Sequence, residues 1–465
     1  VHPVHVEAVA GVVGASEILA ALFFLWACVL ILRGGETLGR GRLLGILALY
    51  ALAFLTKESA VTLLGVVFLL DSSRSDIQVR DLRSYLGRRW PLYGGMLLVA
   101  AVVLWCRYLV LRSVADPFPP LGATILWEIP RIWTVAESWT HIVRLLFFPL
   151  DLSVDYGPAV IPISFGWGYA NSLGAVLVLG FLAISILAWR QGPLGKEKNS
   201  ARLLGWGVVW MVITLSPTSN LLFLSGILLS ERTLYLPSVG FVAAAAWGFL
   251  KLRETRPRLA PAALLIGLAF FFGRSWTRTP VWESNLTLLP VLIADHPEAG
   301  RSQWLLGDSY FTIGQFSEGL RAYRLAVGLL DGHYNFMVGA SRNLLAHGFD
   351  RPAEVMLKQA WEQRPEFGVA PGLLSHIYDR QGRYDEAEEA ARYSLERDSA
   401  KAPQYHTLAR VLQAQGRYEE AIDARLGAIR EGEGGHLEQW VWLAELYFAL
   451  NDSSGALVAL DSARL

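Results

Sequence analysis

The sequence predicts an all-α protein in two parts, a polytopic transmembrane helix bundle followed by an α-solenoid of helical repeats. Hydrophobic residues make up 53% of the 465 residues and charged residues only 18%, which is below the roughly 25% of a typical soluble domain. Nearly all of this apolar excess precedes residue 274. After that position, glycines recur at a fixed interval in amphipathic, charged sequence.

The apolar part contains several segments close to the ~20 residues that cross a bilayer core as a helix. The clearest are 9–32, 94–111, 172–189, 203–224, 233–250 and 259–273. With shorter segments included, we expect about eight apolar helices. Segments 43–56 and 60–70 are short, and we expect them to insert partly, with a break at Lys57–Glu58.

The distribution of basic residues predicts the orientation of the bundle. Loops rich in Arg and Lys stay on the cytoplasmic side, and four gaps qualify: 33–42, 72–90, 190–202 and 251–258. The alternation requires that 132–150 does not cross. Because Glu137, His141 and Arg144 lie there at helical spacing, an amphipathic helix in the outer interface is the better interpretation. Residues 2–7 and everything after 274 are then extracytoplasmic.

Composition excludes several classes of function. Lys plus Arg equal Asp plus Glu at 41 each, so charge gives no case for a nucleic-acid partner. Cys28 and Cys106 both lie in apolar segments and predict neither a disulfide framework nor a thiolate metal site. The chain begins at Val1 without a methionine, so we expect it to lack an N-terminal part. Arginine greatly outnumbers lysine, which indicates a GC-rich bacterial genome.

The second part carries a repeat of 34 residues. Gly314, Gly348, Gly382 and Gly416 follow one another at this interval, and Asn451 comes 35 residues later. Each suits a left-handed turn between two helices, and a small residue follows five positions on. This period and pattern are typical of tetratricopeptide repeats. We interpret the small and aromatic residues as packing and expect binding on the concave face. The predicted division is 1–273 membrane domain, 274–300 linker and 301–465 repeat domain with about five repeats.

Polar residues beside membrane helices are costly and suggest function. Three clusters are predicted on the outer side. The first is 2–7 with its two histidines and Glu7, followed by Glu17; the second is the pair Lys57–Glu58; the third is 231–238 with Arg232 and Tyr235, preceded by 216–220. A carboxylate beside histidines can act as a base or hold a divalent cation. An arginine near a tyrosine suits a lipid-linked phosphate, which it can clamp with two hydrogen bonds.

Each cluster also has a structural interpretation. Glu7 can stabilise the first turn of its helix. Lys57 and Glu58 can neutralise one another, and Glu231 and Arg232 can form a structural ion pair. His2 and His5 alone are a weak metal signal without a third ligand, so we assign no metal site.

Segments 2–14, 57–58, 148–155, 231–238 and 274–276 with Trp282 occur in this order before the repeats. Together they resemble the transmembrane and tetratricopeptide-repeat protein O-mannosyltransferase family over essentially the whole chain. The resemblance implies a GT-C glycosyltransferase fold. It also implies inverting transfer of mannose from a polyprenyl- (dolichyl-) phosphate donor to Ser or Thr hydroxyls of an acceptor protein or peptide that the repeats bind.

The resemblance also implies residue roles. Glu7 and His5 would lie at the catalytic pocket, with His5 orienting Glu7 or a metal, and Arg232, Tyr235 and Lys57 would hold the donor phosphate. The remaining candidates are Glu58, Glu231 and Asp155. The catalytic acidic residue of such enzymes lies in a first extracytoplasmic loop, which would precede Val1, and the family's Asp-Trp-Ser reads 155–157 Asp-Tyr-Gly here. No cofactor is implied beyond the lipid-linked sugar donor, and a divalent metal stays open.

Two alternatives remain. One is another GT-C-type transferase, such as an oligosaccharide ligase or a glycolipid-modifying enzyme. The other is a non-catalytic membrane scaffold that presents its repeats to a protein partner and does not depend on Glu7 or Arg232. We favour an enzyme, because an anchor would not need the outer Glu, Lys and Arg residues. The expected location is a bacterial inner membrane with periplasmic repeats, or the endoplasmic reticulum membrane with lumenal repeats.

Overall fold

A computed structural model describes residues 1–34, 38–74, 82–111, 131–153, 156–158, 160–190, 201–221, 228–397, 401–433 and 437–463. All regular elements in these ranges are helical, which confirms the predicted all-α class. The chain forms two compact units, Val1–Ala299 and Gly300–Leu465, and each is described by itself.

The first unit contains eleven α-helices within its described part. They are α1 (Val6–Ala10), α2 (Ala15–Leu32), α3 (Arg40–Thr56), α4 (Leu63–Arg74), α5 (Leu82–Leu111), α6 (Ile132–Phe147), α7 (Tyr169–Arg190), α8 (Ala201–Leu215), α9 (Ser238–Thr255), α10 (Leu259–Arg278) and α11 (Asn285–Asp295). Short 3-10 helices lie between them, and those that shape the site are Pro3–His5, Glu58–Thr62, Glu231–Leu234 and Thr279–Trp282.

Four described helices are long and apolar enough to cross a membrane. The segments are Val12–Leu32, Ser84–Val110, Tyr169–Leu187 and Leu259–Trp282. At most 39% of each segment is buried within the protein, so most of their apolar side chains are left for another apolar environment such as lipid. These helices indicate a membrane protein. The remaining apolar helices of the bundle are shorter, and the number of membrane crossings stays a prediction.

The segment predicted to lie in the interface forms α6, which has 16 residues and is absent from the candidate spans in the described residues. It packs so tightly on α7 that a Cβ on Gly174 would overlap the carbonyl oxygen of Ala136. The break predicted at Lys57–Glu58 is present, because α3 ends at Thr56 and Lys57 is extended with φ −154° and ψ 131°.

The loops predicted from basic residues are only partly described. Residues 35–37, 75–81 and 191–200 of these loops lie outside the described residues. Much of 72–90 is helical, because α4 extends to Arg74 and α5 begins at Leu82. There Arg89 is buried and its Nη2 lies 3.1 Å from Asp71 Oδ1.

Residues 274–299 are part of the first unit. They form the end of α10, the 3-10 helix Thr279–Trp282 and α11, whose Leu288, Leu289 and Leu292 are buried. The segment predicted as a linker is therefore largely helical, since its leucines have an apolar surface to cover.

The second unit consists of paired helices. They are α12 (Gly300–Thr312), α13 (Phe316–Leu329), α14 (Tyr334–Ala346), α15 (Asp350–Gln363), α16 (Val369–Arg380), α17 (Tyr384–Arg397), α18 (Ala402–Ala414), α19 (Tyr418–Ala428), α20 (Leu437–Ala449) and α21 (Ser453–Ser462). The four predicted turn glycines have φ between +74° and +80°, and Asn451 has φ +59°. Small residues after the turns, such as Ala353 and Ala387, are fully buried, as predicted for close helix packing.

Candidate functional site

Glu7 lies at the centre of a buried polar cluster in the first unit. Its side chain is 2% exposed and lies on α1, directly after the 3-10 helix Pro3–His5. Ser230 Oγ donates to the two carboxylate oxygens at 3.0 and 3.1 Å. The backbone N–H of Arg232 donates to Oε2 at 2.8 Å, and the Arg232 guanidinium binds Oε1 through Nη1. Both carboxylate oxygens thus accept hydrogen bonds from two residues that lie more than 220 positions away in sequence.

Arg232 is therefore paired with Glu7 and not with its neighbour Glu231, so the sequence alternative of a Glu231–Arg232 ion pair is wrong. The Arg232 side chain stays 23% exposed, and its Nε has no hydrogen-bond partner in the described part of the chain. The guanidinium thus has donor capacity beyond the contact with Glu7. Tyr235 follows in the same turn and is partly buried.

Glu231 is fully buried and its carboxylate points away from this pair. Tyr156 donates its hydroxyl to Oε1 at 2.9 Å, and Arg278 Nη2 lies 4.0 Å from the same oxygen. Burial raises the pKa of Glu231 to about 8, although the charge of Arg278 opposes this rise. The carboxyl is therefore mostly protonated at neutral pH.

A second ion pair lies beside the first. Lys57 Nζ is 3.1 Å from Glu17 Oε1 on α2, and the two side chains are 27% and 9% exposed. Glu58 instead pairs with Arg107 of α5. The two neighbours therefore do not neutralise one another, and that alternative is wrong. The charges of Glu7 and Arg232 act on Glu17, so the Lys57–Glu17 pair lies near the Glu7 cluster. Glu58 belongs to a separate ion pair.

The two histidines are fixed by the backbone and by a serine, and not by Glu7. His2 Nδ1 accepts the N–H of Val4 at 3.3 Å, so the proton lies on Nε2, which is 2.9 Å from the carbonyl oxygen of Leu146. His5 Nε2 lies 2.9 Å from Ser238 Oγ, and its ring centroid is 4.9 Å from that of Tyr235. The predicted contact between His5 and Glu7 is absent from these hydrogen bonds.

Burial lowers the pKa of both histidines, that of His5 to about 4 with a contribution from His2. Both rings are therefore mostly neutral at pH 7. In the described residues, no group of three His, Cys, Asp or Glu side chains could hold a metal ion. Asp155, the remaining candidate, lies outside the described residues.

Sequence reasoning grouped Glu17 with residues 2–7 but gave it no role, and it did not assign Ser230, Tyr156 or Arg278 to a site. Each of these four residues contacts a candidate residue. Ser230 could have been found from its position in the sequence, because it directly precedes Glu231–Arg232. A buried-charge argument also applied to Glu17, which is the lone acidic residue in the apolar helix α2. For Tyr156 the signal was its place beside Asp155 in the Asp-Tyr-Gly triplet.

Comparisons with known proteins agree with this arrangement of helices and repeats. A tetratricopeptide repeat family model matches residues 353–412, and a second matches 403–424. Human "Protein O-mannosyl-transferase TMTC1" is 26% identical over 72% of this chain and 41% of its own length. Mouse "Protein O-mannosyl-transferase TMTC4" is 27% identical over 70% of this chain and 47% of its own length.

Mouse "Protein O-mannosyl-transferase TMTC3" is 23% identical over 97% of this chain and 53% of its own length. The chain thus spans about half the length of the curated relatives that it matches. Among solved structures, a crystal structure of MamA has 18% identity and a TM-score of 0.32 over 34% of this chain and 92% of that one. The curated relatives confirm the resemblance to transmembrane and tetratricopeptide-repeat O-mannosyltransferases.

Proposed function

We propose that this chain belongs to a multi-pass membrane glycosyltransferase that moves mannose from a polyprenyl-phosphate donor to Ser or Thr hydroxyls on the extracytoplasmic side. The observation that carries the proposal is the Glu7–Arg232 cluster, in a chain whose curated relatives are named protein O-mannosyl-transferases. Buried charges of this kind in an apolar bundle are costly, so they favour a site over an anchor. The repeats would bind the acceptor protein.

The proposed reaction places its largest charge change on the phosphate. The acceptor oxygen forms a bond to the anomeric carbon while the bond from that carbon to the phosphate oxygen breaks. The phosphate leaves with the electron pair, and the hydroxyl proton passes to a base. Attack from the face opposite the phosphate would invert the anomeric centre. Preorganised donors aimed at the departing phosphate oxygens would stabilise this charge.

Arg232 and Lys57 are suited to that task. Both side chains are about one quarter exposed, at 23% and 27%, so they are reachable while their carboxylate partners are buried. The Nε of Arg232 has no hydrogen-bond partner among the described residues. We assign the donor phosphate to this guanidinium, with Lys57 supplying a second positive charge and Tyr235 a hydroxyl.

Glu7 would act in this scheme by positioning Arg232. Its carboxylate is already bound by Ser230 and by two N–H groups of Arg232. It can serve as general base only if the guanidinium moves from Glu7 to the phosphate. His5 would support the site by packing on Tyr235 and bonding Ser238.

The test is transfer by the full-length protein in liposomes, with radiolabelled polyprenyl-phosphate-mannose and a Ser/Thr-rich acceptor protein. Loss of one charge-stabilising donor costs about 10²–10³ in rate, so we expect at least a hundredfold loss in Arg232→Ala and a clear loss in Glu7→Gln. The matched control is Lys251→Gln, which removes an exposed pair with Glu254 in the same unit. Transfer of an oligosaccharide in place of a single sugar would favour an oligosaccharide ligase. Normal cellular function in both site variants, without transfer of any sugar, would favour the scaffold.

The proposed sidedness has its own test. Thr255 and Ser284 are exposed and lie on either side of the candidate span that includes α10. Single cysteines at these positions, in a background without Cys28 and Cys106, would be labelled on intact cells with a membrane-impermeant maleimide. We expect labelling at Ser284→Cys and protection at Thr255→Cys. The reverse pattern would place the repeats in the cytoplasm.

A further inference from the structure

The first unit contains a cavity of about 710 Å³ that includes none of the residues assigned above to the donor phosphate. It lies between α6, the segment after α6, α10 and α11. Three arginines line it, Arg144, Arg274 and Arg278, together with His141 and His296. Its size falls in the range of about 300–1,000 Å³ that small-molecule sites occupy.

Arg278 is the most informative of these residues. Its side chain is 7% exposed, and neither Nε nor Nη2 has a hydrogen-bond partner within the described ranges. The nearest carboxylate is that of Glu231, 4.0 Å away, which is hydrogen-bonded to Tyr156. A buried guanidinium with unused donors is costly unless an anion completes it.

The other two arginines differ in how they are compensated. Arg144 Nη1 lies 3.2 Å from Asp151 Oδ2 and 3.0 Å from the Asp151 carbonyl oxygen, so this charge is paired. Within the described ranges, Arg274 hydrogen-bonds the backbone carbonyls of Pro149 and Leu150. It lies four residues before Arg278 on α10, and such residues share one face of a helix.

The charge of the cavity lining is therefore positive. Among the described residues that line it, the acidic side chains are Asp151, which pairs with Arg144, and Asp295 at the end of α11. Against the three arginines, these two carboxylates leave one net positive charge among the described Arg, Asp and Glu residues of the lining. The buried Nδ1 of His141 also has no hydrogen-bond partner in the described part of the chain. Arg278 and His141, which both line the cavity, thus carry buried nitrogen atoms that are not hydrogen-bonded within the described residues.

We propose that this cavity binds a phosphate group through Arg274 and Arg278. Guanidinium groups bind phosphate with paired hydrogen bonds, and two of them on one helix face match a group with several anionic oxygens. The phosphate belongs either to a lipid headgroup or to a free, soluble phosphate. This inference does not rest on the transfer reaction, because it concerns binding to a different set of residues.

The test is isothermal titration calorimetry on the purified full chain in detergent, in an Arg232→Ala background that removes the other phosphate candidate. The probes are farnesyl phosphate, short-chain phosphatidylglycerol and inorganic phosphate. The variants are Arg278→Gln and Arg274→Gln. The matched control is Arg258→Gln, an exposed arginine at the opposite end of α10.

A lost hydrogen bond to a charged group corresponds to about tenfold or more in affinity. We expect phosphate binding that weakens at least tenfold in Arg274→Gln and Arg278→Gln and stays within twofold in Arg258→Gln. Preference for farnesyl phosphate would identify a lipid-linked source, and preference for phosphatidylglycerol a membrane phospholipid. Equal affinity for inorganic phosphate would identify a free one.

Two results would overturn the proposal: no binding of any phosphate probe, or unchanged affinity in Arg274→Gln. Because Arg274 is only half-buried, this variant is expected to fold even if Arg278→Gln does not. Loss of mannose transfer in Arg232→Ala together with intact phosphate binding would separate the two proposals.

Discussion

Replacing Glu7 by glutamine removes one charge from the buried cluster and little else, so it tests the described geometry directly. Oε1 accepts from Ser230 and from Arg232 Nη1, and Oε2 accepts from Ser230 and from the Arg232 backbone N–H. A glutamine amide has one oxygen and one NH₂ group. In either orientation, the NH₂ group faces an N–H of Arg232, and two donors then meet without an acceptor.

The magnitude follows from the burial of the pair. Removing one partner of a buried ion pair costs about 3–5 kcal/mol, because the other charge remains uncompensated. The Glu7 side chain is 2% exposed and that of Arg232 is 23% exposed, so water relieves part of this cost. We expect the lower end, about 3 kcal/mol. For a domain of 150–250 residues, 1 kcal/mol shifts Tm by about 2–4 °C. The first unit, Val1–Ala299, is larger, so we expect the lower end of this range and a fall in Tm of about 6 °C or less.

The assay is thermal unfolding of the full chain in detergent, followed by tryptophan fluorescence. The double variant Glu7→Gln with Arg232→Gln removes both charges, and coupled residues are not additive. We therefore expect it to be more stable than Glu7→Gln alone. A Glu7→Gln protein with wild-type Tm, or a double variant whose loss equals the sum of the single losses, would refute the buried pair.

Three further predictions concern packing, turns and pH, each measured by thermal unfolding. A Cβ on Gly207 would overlap the carbonyl oxygen of Gly240, so Gly207→Ala should cost about 1–3 kcal/mol, whereas Gly248→Ala, with open space around it, should not. Gly382 has φ +74°, so Gly382→Ala should destabilise the repeats by about 1–2 kcal/mol and Gly382→Asn by less; equal losses would contradict a left-handed turn. Glu231 has its pKa raised from 4.5 to about 8, so its contribution to stability is full below pH 4.5 and is lost as pH rises to about 8. Glu231→Gln should flatten that fall, and an unchanged pH profile would count against the buried carboxyl.

The repeat unit was predictable because each of its turns depends on residues that are close together in sequence. A turn residue with positive φ must recur once per helix pair, and glycine adopts that conformation without a steric penalty. The sequence therefore indicates the turns at Gly314, Gly348, Gly382 and Gly416, and all four have positive φ. The small residues follow from the same geometry, since two helices that approach closely leave room only for a small side chain.

The membrane unit was predictable in class but less so in detail. Apolar composition indicates helices that cross a bilayer, and four described segments meet that requirement. Residues 274–299 were harder to place, because a short amphipathic helix such as α11 resembles a polar linker when its partner surface is unknown. The leucines of α11 can be recognised as core residues only when the surface that buries them is known.

The polar clusters show a more general limit of sequence reasoning about charge pairs. Adjacent opposite charges, as in Lys57–Glu58 and Glu231–Arg232, invite the interpretation that they neutralise one another. Consecutive residues of a helix or turn point in different directions, and each of these four side chains has a partner elsewhere: Glu17, Arg107, Tyr156 and Glu7. In this protein, each adjacent pair of opposite charges thus makes two separate polar contacts with other parts of the chain, and not one local ion pair. In this unit, the contacts of Glu231 and Arg232 lead to the Arg278 cavity and to the Glu7 cluster, so one short segment separates the two sites proposed to bind phosphate.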